Sequence, residues 1–361
     1  MLTISLIVIT RNRPRDISRL MTAIAAQTLL PEEVIIVDAS ADSRTEKVVG
    51  IIGRESVLGN IRYIRAKPAQ RQKTIQRNLG AANATGEIIA YLDDDTIPRE
   101  DYLSEIAACF VRHQNAVGVA GYISFAPNPD AGTATWFDNS LSWRLEASDY
   151  RPAYREYQRG DWVCREYART SLLRYIGLLG NEPPGWASPS FLGREPYYVP
   201  PDGEDHRIEY CSGAAMNWRS EVFQHCQFSL FFEGHAPFEE FEFCFRTLSK
   251  GEIYMASRAR VTHCHSPAER PNMYYYGRSW IRNAWYTWCT RWPSSSFKDR
   301  WTWWATVLTI SACRFGDVLR WRNPLAALSE GIGRIAGIAS LMVNSPSTNR
   351  TPSTENREEP T

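Results

Sequence analysis

The sequence lacks the signatures of several common classes of protein. Its eight cysteines are scattered and include no CxxC pair, which argues against a disulfide framework and favours free thiols in a reducing cytosol. There is no uninterrupted run of about 18 uncharged apolar residues, so we expect no membrane-spanning helix. Residues 1–10 are too short for a signal core and have no basic leader. We therefore expect a strand there and no secretory signal.

Common nucleotide-binding motifs are missing as well. No GxGxxG follows the first predicted strand, and GxxxxGK[ST] does not occur in the chain. A Rossmann dinucleotide site and a P-loop are therefore both disfavoured. The formal net charge of +1 argues neither for nor against nucleic acid, and we expect no nucleic acid as a partner. With 361 residues, 43% of them hydrophobic, the chain can form one large domain or two ordinary ones.

The first quarter of the chain alternates apolar strands with amphipathic helices. Apolar runs at residues 4–9, 34–38, 61–64 and 88–92 are separated by segments with apolar residues at helical spacing. The order βαβαβαβ predicts parallel strands joined by right-handed crossovers.

The fourth apolar run ends in three consecutive acids, Asp93, Asp94 and Asp95. Carboxylates at the end of a buried strand repel each other and need a cation. Their hard oxygens suit Mg²⁺ or Mn²⁺, with substrate phosphates completing the shell. Ligands of open α/β sheets bind at the carboxyl ends of the strands, where this triplet falls. The alternative is an acidic loop that caps the helix starting near Asp101.

Other charged residues are expected near the same edge of the sheet. Asp38 ends the second strand and either accepts hydrogen bonds from a base or ribose or caps the next helix. Arg71, Lys73 and Arg77 precede the fourth strand. These cations either meet a diphosphate or form a solvated helix face.

The second half of the chain adds acids and histidines. Glu239, Glu240 and Glu242 open a predicted helix, where they either complement the helix dipole or supply a general base. His263 and His265 share one face of an extended chain. They indicate either a zinc site or, as we favour, one histidine that completes the shell of the carboxylate-bound cation.

These pieces together resemble the inverting family-2 glycosyltransferases with the GT-A fold. The resemblance covers roughly residues 3–125 and 208–266. The matching segments, in the order and at about the spacing of that family, are residues 5–13, 37–40, 76–80, 86–95, 213–219, 239–246 and 261–263.

The resemblance implies roles for individual residues. Asp93 and Asp95 match the two acids of the DXD motif that bind the metal–diphosphate, and His263 falls where some members carry a further metal or diphosphate ligand. Glu240 matches the catalytic base. With the cations above, the predicted donor-binding residues are Thr10, Arg11, Asp38, Arg71, Arg77, Asp93 and Asp94, and the predicted metal ligands are Asp93, Asp95 and His263.

Two positions depart from the pattern of that family. Ala39 follows Asp38 where a second acid is common, which leaves the nucleotide base open. The base is usually Asp, whereas Glu240 is one methylene longer, so Glu239 and Glu242 stay alternatives.

The resemblance implies transfer of a sugar from a nucleoside-diphosphate sugar to the hydroxyl of a glycan or lipid-linked saccharide, assisted by Mn²⁺ or Mg²⁺. One displacement would invert the anomeric carbon. Two alternatives are a nucleotidyltransferase that makes nucleotide sugars and a non-catalytic module that binds a membrane or partner. The first would need a glycine-rich loop after the first strand, where residues 10–14 have no glycine.

The C-terminal third is rich in tryptophan and in basic residues. Eight of the thirteen tryptophans fall in residues 280–321, and residues 270–322 hold nine Lys/Arg against two acids. Such helices either lie in a bilayer interface or pack as core helices. We expect a cytoplasmic protein, peripheral on the inner face of the membrane if the first alternative holds.

The predicted fold is GT-A-type α/β, with a mixed, mainly parallel sheet flanked by helices and a Trp-rich helical C-terminal region. The predicted segments are a nucleotide-sugar-binding half, an acceptor-side insertion, the other half of the same domain with the base and the metal ligand, a helical region that either associates with membranes or packs against the catalytic domain, and a disordered tail. Their bounds are 1–125, 126–208, 209–268, 269–344 and 345–361.

Overall fold

The structure is a computed structural model that describes residues 2–125, 185–190, 202–264, 266, 271–319 and 324–346. Most of the predicted acceptor-side insertion 126–208 lies outside these residues. Almost all of the predicted tail 345–361 does so too, as does His265.

Nine strands and eight α-helices make up the described part of the chain. In chain order they are β1 (Ile4–Thr10), α1 (Pro14–Ala25), β2 (Glu33–Asp38), α2 (Arg44–Glu55), β3 (Ile61–Arg65), α3 (Lys73–Ala82), β4 (Ile88–Asp93), β5 (Thr96–Pro98), α4 (Tyr102–Arg112), β6 (Ala116–Phe125), β7 (Asp205–Ile208), β8 (Ala215–Arg219), α5 (Glu239–Thr247), β9 (Glu252–His263), α6 (Met273–Arg291), α7 (Phe297–Leu319) and α8 (Pro324–Val343).

All nine strands form one mixed sheet in the order β3-β2-β1-β4-β8-β6-β9-β5, with β7 paired to β9. The pairs among β3, β2, β1 and β4 are parallel, as the sequence pattern predicts. β8 then runs antiparallel to both β4 and β6, so that the second half of the chain inserts a strand beside the acidic triplet. The sheet therefore joins residues from both predicted halves of the catalytic domain.

The alternation of side chains along β1 explains the two hydrophobic cores. Leu6 and Val8 pack on one face with residues of α1 and α4, whereas Ile7 packs on the other with residues of β8 and α5. Successive side chains of a strand point to opposite faces. A strand covered on both faces therefore reads as a continuous apolar run, as β1 does from Leu6 to Ile9.

The tryptophans of the C-terminal helices mostly pack inward. Trp280, Trp288 and Trp303 are buried, and Trp285 stacks on Trp288 with ring centroids 5.3 Å apart. These side chains support the core alternative for much of the region 280–321. Among the tryptophans that the structure describes in this region, Trp301 is the exception, because it is exposed. Within the described residues one helix, α8, is long and apolar enough to cross a membrane by length and composition, and 39% of its most apolar stretch is buried.

α6 and α8 approach closely through glycines. A Cβ at Gly277 of α6 would collide with the backbone oxygen of Glu330 in α8, whereas one at Gly316 of α7 would meet nothing within 4 Å. We expect Gly277→Ala to destabilise the protein by about 1–3 kcal/mol, because a backbone atom cannot give way as a side chain does. Denaturant unfolding measures this.

The matched control is Gly316→Ala, which makes the same change in an open position within a helix. It should stabilise the protein by up to about 1 kcal/mol through helix propensity alone. Equal effects of the two substitutions would contradict the close packing of α6 on α8.

Candidate active site

The acidic triplet lies at the carboxyl edge of the parallel strands. β4 ends at Asp93, which pairs with Ile9 of the neighbouring strand β1. β1 itself ends at the next residue, Thr10. Thr10 of β1 is in register with Asp38 of β2. The predicted residues at the ends of three strands are therefore brought to one edge of the sheet, as parallel pairing requires.

The short strand β5 brings His263 to the triplet. Thr96 pairs with His263 in the antiparallel ladder between β5 and β9. The Nε2 atom of His263 lies 3.0 Å from Oδ1 of Asp95, and the backbone N–H of Ser266 donates to Oδ2 of Asp95 at 2.8 Å. One ligand atom each of Asp93, Asp95 and His263 lies within 4.8 Å of the others.

This cluster fits a divalent cation. Two carboxylates and one imidazole are ligands that Mn²⁺ accepts, and Mg²⁺ would favour the carboxylates alone. The side chain of Asp93 is 23% exposed, so the cluster opens to solvent where a phosphate can approach. The predicted ligand set is thus brought together by the fold, and its use stays a prediction.

The electrostatics of the two inner acids differ. Burial raises the pKa of Asp95, but the charge and hydrogen bond of His263, the charge of Arg13 and the N–H of Ser266 outweigh it, so that this pKa lies below its usual range. Burial raises the pKa of Asp94, and the charge of Asp95 adds to this effect, although Arg13 and Thr10 oppose it.

Arg13 is a site residue to which the sequence analysis assigned no role. Its Nη1 atom lies 2.8 Å from Oδ1 of Asp94 and 3.3 Å from Oδ2 of Asp95. Thr10 donates from its hydroxyl to the other oxygen of Asp94 at 2.7 Å. Arg13 thus holds two acids together. Its place in the segment 5–13, which resembles the glycosyltransferase family, could have marked it as a site residue. That segment also contains Arg11, however, and the sequence does not show which of the two arginines faces the acids.

The loop after β1 is tied to the loop after β2. Asn12 adopts a positive φ of 55°, a conformation that asparagine tolerates better than most residues. Its backbone N–H donates to Ser40 Oγ at 2.7 Å, and its side-chain oxygen accepts from the N–H of Ala41 at 3.1 Å. These bonds keep Arg13 aimed at the triplet.

Asp38 is fully buried. One carboxylate oxygen accepts the N–H of Ser40 at 2.7 Å, and the other accepts the hydroxyl of Tyr63 at 2.7 Å. Burial and this bond raise the pKa of Tyr63. Asp38 therefore stabilises its own loop, and a nucleotide base would have to share oxygens that already accept these bonds.

Arg77 lies beneath the site, with a side chain only 1% exposed. Its guanidinium is 3.0 Å from Oε1 of Glu239 and 3.6 Å from Oδ1 of Asp93, and it donates to the carbonyl oxygen of Gly213 at 3.1 Å. Lys73 lies 3.5 Å from the same Glu239 oxygen. Arg77 thus connects the candidate metal acid Asp93 with the start of α5.

The three acids of α5 have different surroundings. Glu239 is buried against Arg77 and Lys73. Glu242 is buried and pairs with Arg246 through two bonds of 2.7 and 2.8 Å, and burial raises its pKa. Glu240 is partly exposed. Of these three, Glu240 is the carboxylate that a substrate can reach.

The backbone entering α5 is strained. Ala236 and Phe238 have positive φ values of 54° and 74°, which side chains without a polar group rarely adopt. Such residues cost about 1–3 kcal/mol each and cluster at functional sites. They orient the first turn that carries Glu240.

Two predicted donor residues, Arg11 and Arg71, are exposed. Their roles in binding the donor stay predictions. A surface cavity of about 760 Å³ lies between α1 and residues 97–101, and none of the predicted site residues lines it.

Residues 5–165 match the family described as glycosyl transferase family 2. No curated protein matches the sequence. The acidic triplet and the parallel half of the sheet fall within the matched residues, and the match and the mixed sheet together confirm the predicted GT-A-type α/β fold.

Solved structures show similarity over most of the chain at low identity. Residues 1–349 of S. aureus TarS are 14% identical with a TM-score of 0.45, covering 94% of this chain and 92% of that one. A longer TarS structure scores 0.46 at 14% identity over 93% and 55%. GalNAc-T7 with UDP, GalNAc and Mn²⁺ scores 0.47 at 14% identity over 83% and 53%.

This chain thus spans about half the length of the two longer structures, and scores at this level carry no conclusion about its chemistry. What identifies the enzyme class is the family match over residues 5–165. On that match, which covers 161 of the 361 residues, the chain is a glycosyltransferase.

Proposed function

We propose that this glycosyltransferase transfers a sugar from a nucleoside-diphosphate sugar to an acceptor hydroxyl in one metal-assisted displacement that inverts the anomeric carbon. The observation that carries the proposal is the convergence of Asp93, Asp95 and His263 at the carboxyl edge of the sheet. A cation held there would neutralise the charge that develops on the leaving diphosphate.

The donor site combines this cluster with the loops after β1 and β2. Arg13 and Thr10 hold Asp94 in place, and Asp38 orders the second loop. We propose that the nucleotide lies across these loops and that Arg77 acts on the donor indirectly, through Asp93. The exposed Arg11 and Arg71 would contact the phosphates from the solvent side.

Glu240 is the proposed general base. An acceptor hydroxyl is a poor nucleophile with a high pKa, and it needs a carboxylate within hydrogen-bond reach to take its proton. Glu239 is held by Arg77 and Lys73, and Glu242 is held by Arg246. Because the helix start leaves only Glu240 partly exposed among the three, proton transfer from the acceptor is assigned to it.

The acceptor proposal is a saccharide, free or lipid-linked, in the assembly of a cell-surface or secreted polysaccharide. This follows from the reaction class and not from a pocket, since the predicted acceptor-side segment 126–208 lies largely outside the described residues. We propose that the enzyme acts in the cytoplasm, where nucleotide sugars would be supplied by a reaction that couples a sugar phosphate to a nucleoside triphosphate.

The nucleoside-diphosphate part of the donor should stabilise the folded protein only in the presence of metal. We expect one nucleoside diphosphate from a panel, with Mn²⁺, to raise the melting temperature by several degrees. At a hundredfold excess over Kd the gain is about 2.7 kcal/mol. The shift should vanish in Asp95→Ala, because this substitution removes a metal ligand.

The matched control is Glu221→Gln, which changes an exposed acid of the 3₁₀ helix Ser220–Gln224. It should keep the full shift. A shift that needs no metal, or that survives Asp95→Ala, would overturn the metal site. No shift with any nucleotide would overturn the proposed donor class.

A further inference from the structure

The outward face of α8 is apolar along its whole length. Its exposed residues recur at alternating spacings of three and four, as on one face of a helix. Their exposed fractions range from 39% at Leu328 to 90% at Val343. The large apolar residues on this outward face, which we call the α8 stripe, are Leu325, Leu328, Ile332, Ile335, Met342 and Val343.

The inward face of α8 has the opposite character. It carries small residues, among them Gly333 and Gly337, which lie against backbone atoms of α6. It also carries the two charged residues of the helix, Glu330 and Arg334, which are both buried. Their charges are satisfied inside the protein, since Glu330 pairs with Arg334 at 2.6 Å and with Arg314 at 3.1 Å.

This distribution is inverted relative to a water-exposed helix. A surface helix usually buries its large apolar residues and exposes its charges. Here both charges point inward and most of the large apolar residues point outward, although Leu341 is buried and Ile338 packs against the core. The helix has 20 residues and its mean hydropathy reaches 1.3. Small residues at a helix contact with apolar residues facing away are typical of packing in a lipid environment.

α8 is held flat on the protein. Its contacts with α6 continue along the helix, from Gly333 against Tyr274 to Asn344, whose carbonyl oxygen accepts from Arg282 at 3.0 Å. α6 in turn packs on the catalytic domain, since Trp280 contacts the ring of Phe238. A helix fixed in this way lies in the plane of a surface and does not cross a bilayer.

The start of α7 adds a second exposed apolar patch. Phe297, Trp301 and Leu308 are exposed at helical spacing, and Lys298 and Arg300 are exposed beside them. Aromatic residues with adjacent cations are typical of segments that lie in the headgroup region of an anionic membrane.

We infer that the α8 stripe, with the start of α7, docks the enzyme in the plane of an anionic lipid bilayer. The expected membrane contact therefore shifts from residues 280–321 toward α8. Only one of the seven tryptophans described in that segment is exposed, and the exposed large apolar residues of this region belong mainly to α8. This inference does not depend on the proposed transfer reaction.

A second copy of the chain is the competing occupant of the stripe. Helix pairs between copies usually place charged residues beside an apolar seam to set partner and orientation. Ala339 continues the spacing of the stripe, and none of the partly exposed residues of α8 is charged; these are Pro324, Ala326, Ser329, Ala336, Ile338 and Ser340. Contact with lipid tails requires no charged residues beside the apolar face, so the uncharged flanks favour a bilayer as the occupant of the stripe.

The test is flotation of the purified full chain with vesicles of phosphatidylcholine, with and without phosphatidylglycerol. We expect binding that increases with the anionic lipid. Ile332→Glu with Ile335→Glu should lower the bound fraction at least about tenfold, because two apolar side chains that would be buried in the lipid are replaced by charged ones. Lys298→Ser should lower only the anionic increment, roughly fivefold.

The matched control is Val57→Glu with Val111→Glu, two exposed apolar residues elsewhere on the surface, which should bind vesicles as the wild type does. All variants should melt near the wild-type temperature, because the positions are exposed. The inference fails if the wild type binds neither vesicle or if the control loses binding equally. It also fails if the chain is a stable oligomer in solution that the double isoleucine substitution converts to monomers, which would assign the stripe to self-association.

Discussion

Replacing Glu240 with glutamine should lower kcat by about 10²- to 10⁴-fold, the usual contribution of a positioned general base. Glutamine keeps the size of the side chain but cannot take the proton of the acceptor hydroxyl. Glu240 is not among the candidate metal ligands, so donor-dependent stabilisation should persist in the variant. Turnover, measured as nucleoside diphosphate released in the presence of acceptor, and the melting shift together separate a catalytic from a binding defect.

Glu242→Gln is the matched control for this substitution. Glu242 sits in the same turn of α5, yet it is buried and paired with Arg246. We expect it to cost stability and to leave kcat within a few-fold of the wild type. If Glu242→Gln abolished turnover in a folded protein while Glu240→Gln did not, the assignment of the base would be wrong.

Arg77→Met should be the most destabilising of these substitutions, with an expected loss of about 3–5 kcal/mol. It removes the closest partner of Glu239, which is fully buried and whose other ion-pair partner within the described part of the chain is Lys73 at 3.5 Å. It also removes the cation beside Asp93. The loss is measured as a lower free energy of unfolding in denaturant.

The companion double variant combines Arg77→Met with Glu239→Met. It should recover part of the stability that Arg77→Met loses, since the buried carboxylate that this substitution leaves unpaired is removed as well. The two single losses should then exceed the loss of the double variant by about 0.5–3 kcal/mol. Additive losses would show that the two residues act independently. Arg77→Lys, which keeps the charge but not the planar fork, should fall between the wild type and Arg77→Met.

The strand pattern and the acidic triplet could be predicted because they depend on local sequence. β1, β2 and β4 are buried on both faces, so their apolar runs are uninterrupted. The triplet follows β4 directly, and parallel pairing places strand ends together. The convergence of Asp93 and Asp95 with His263 was expected from the resemblance, and the fold brings these residues within reach of one cation.

The pairing partners of the charged residues could not be predicted. Arg13 and Arg77 both lie near the site, but Arg13 forms ion pairs with Asp94 and Asp95, whereas Arg77 is buried against Glu239. Which of two cations meets which acid depends on side-chain direction and burial. For Arg77 they are set from far along the chain, since its guanidinium contacts Met216 of β8 and the carbonyl oxygen of Gly213 just before this strand.

The sequence by itself determined the parallel half of the sheet, the edge at which the acids meet and the class of ligand that such acids attract. It did so because strand burial, chain direction and carboxylate chemistry are local properties. Only the tertiary structure decided which acid of α5 stays accessible and which face of α8 points outward. Accessibility depends on what packs against a side chain. For Glu239 that is Arg77, 162 residues earlier, and for α8 it is the small-residue contact with α6.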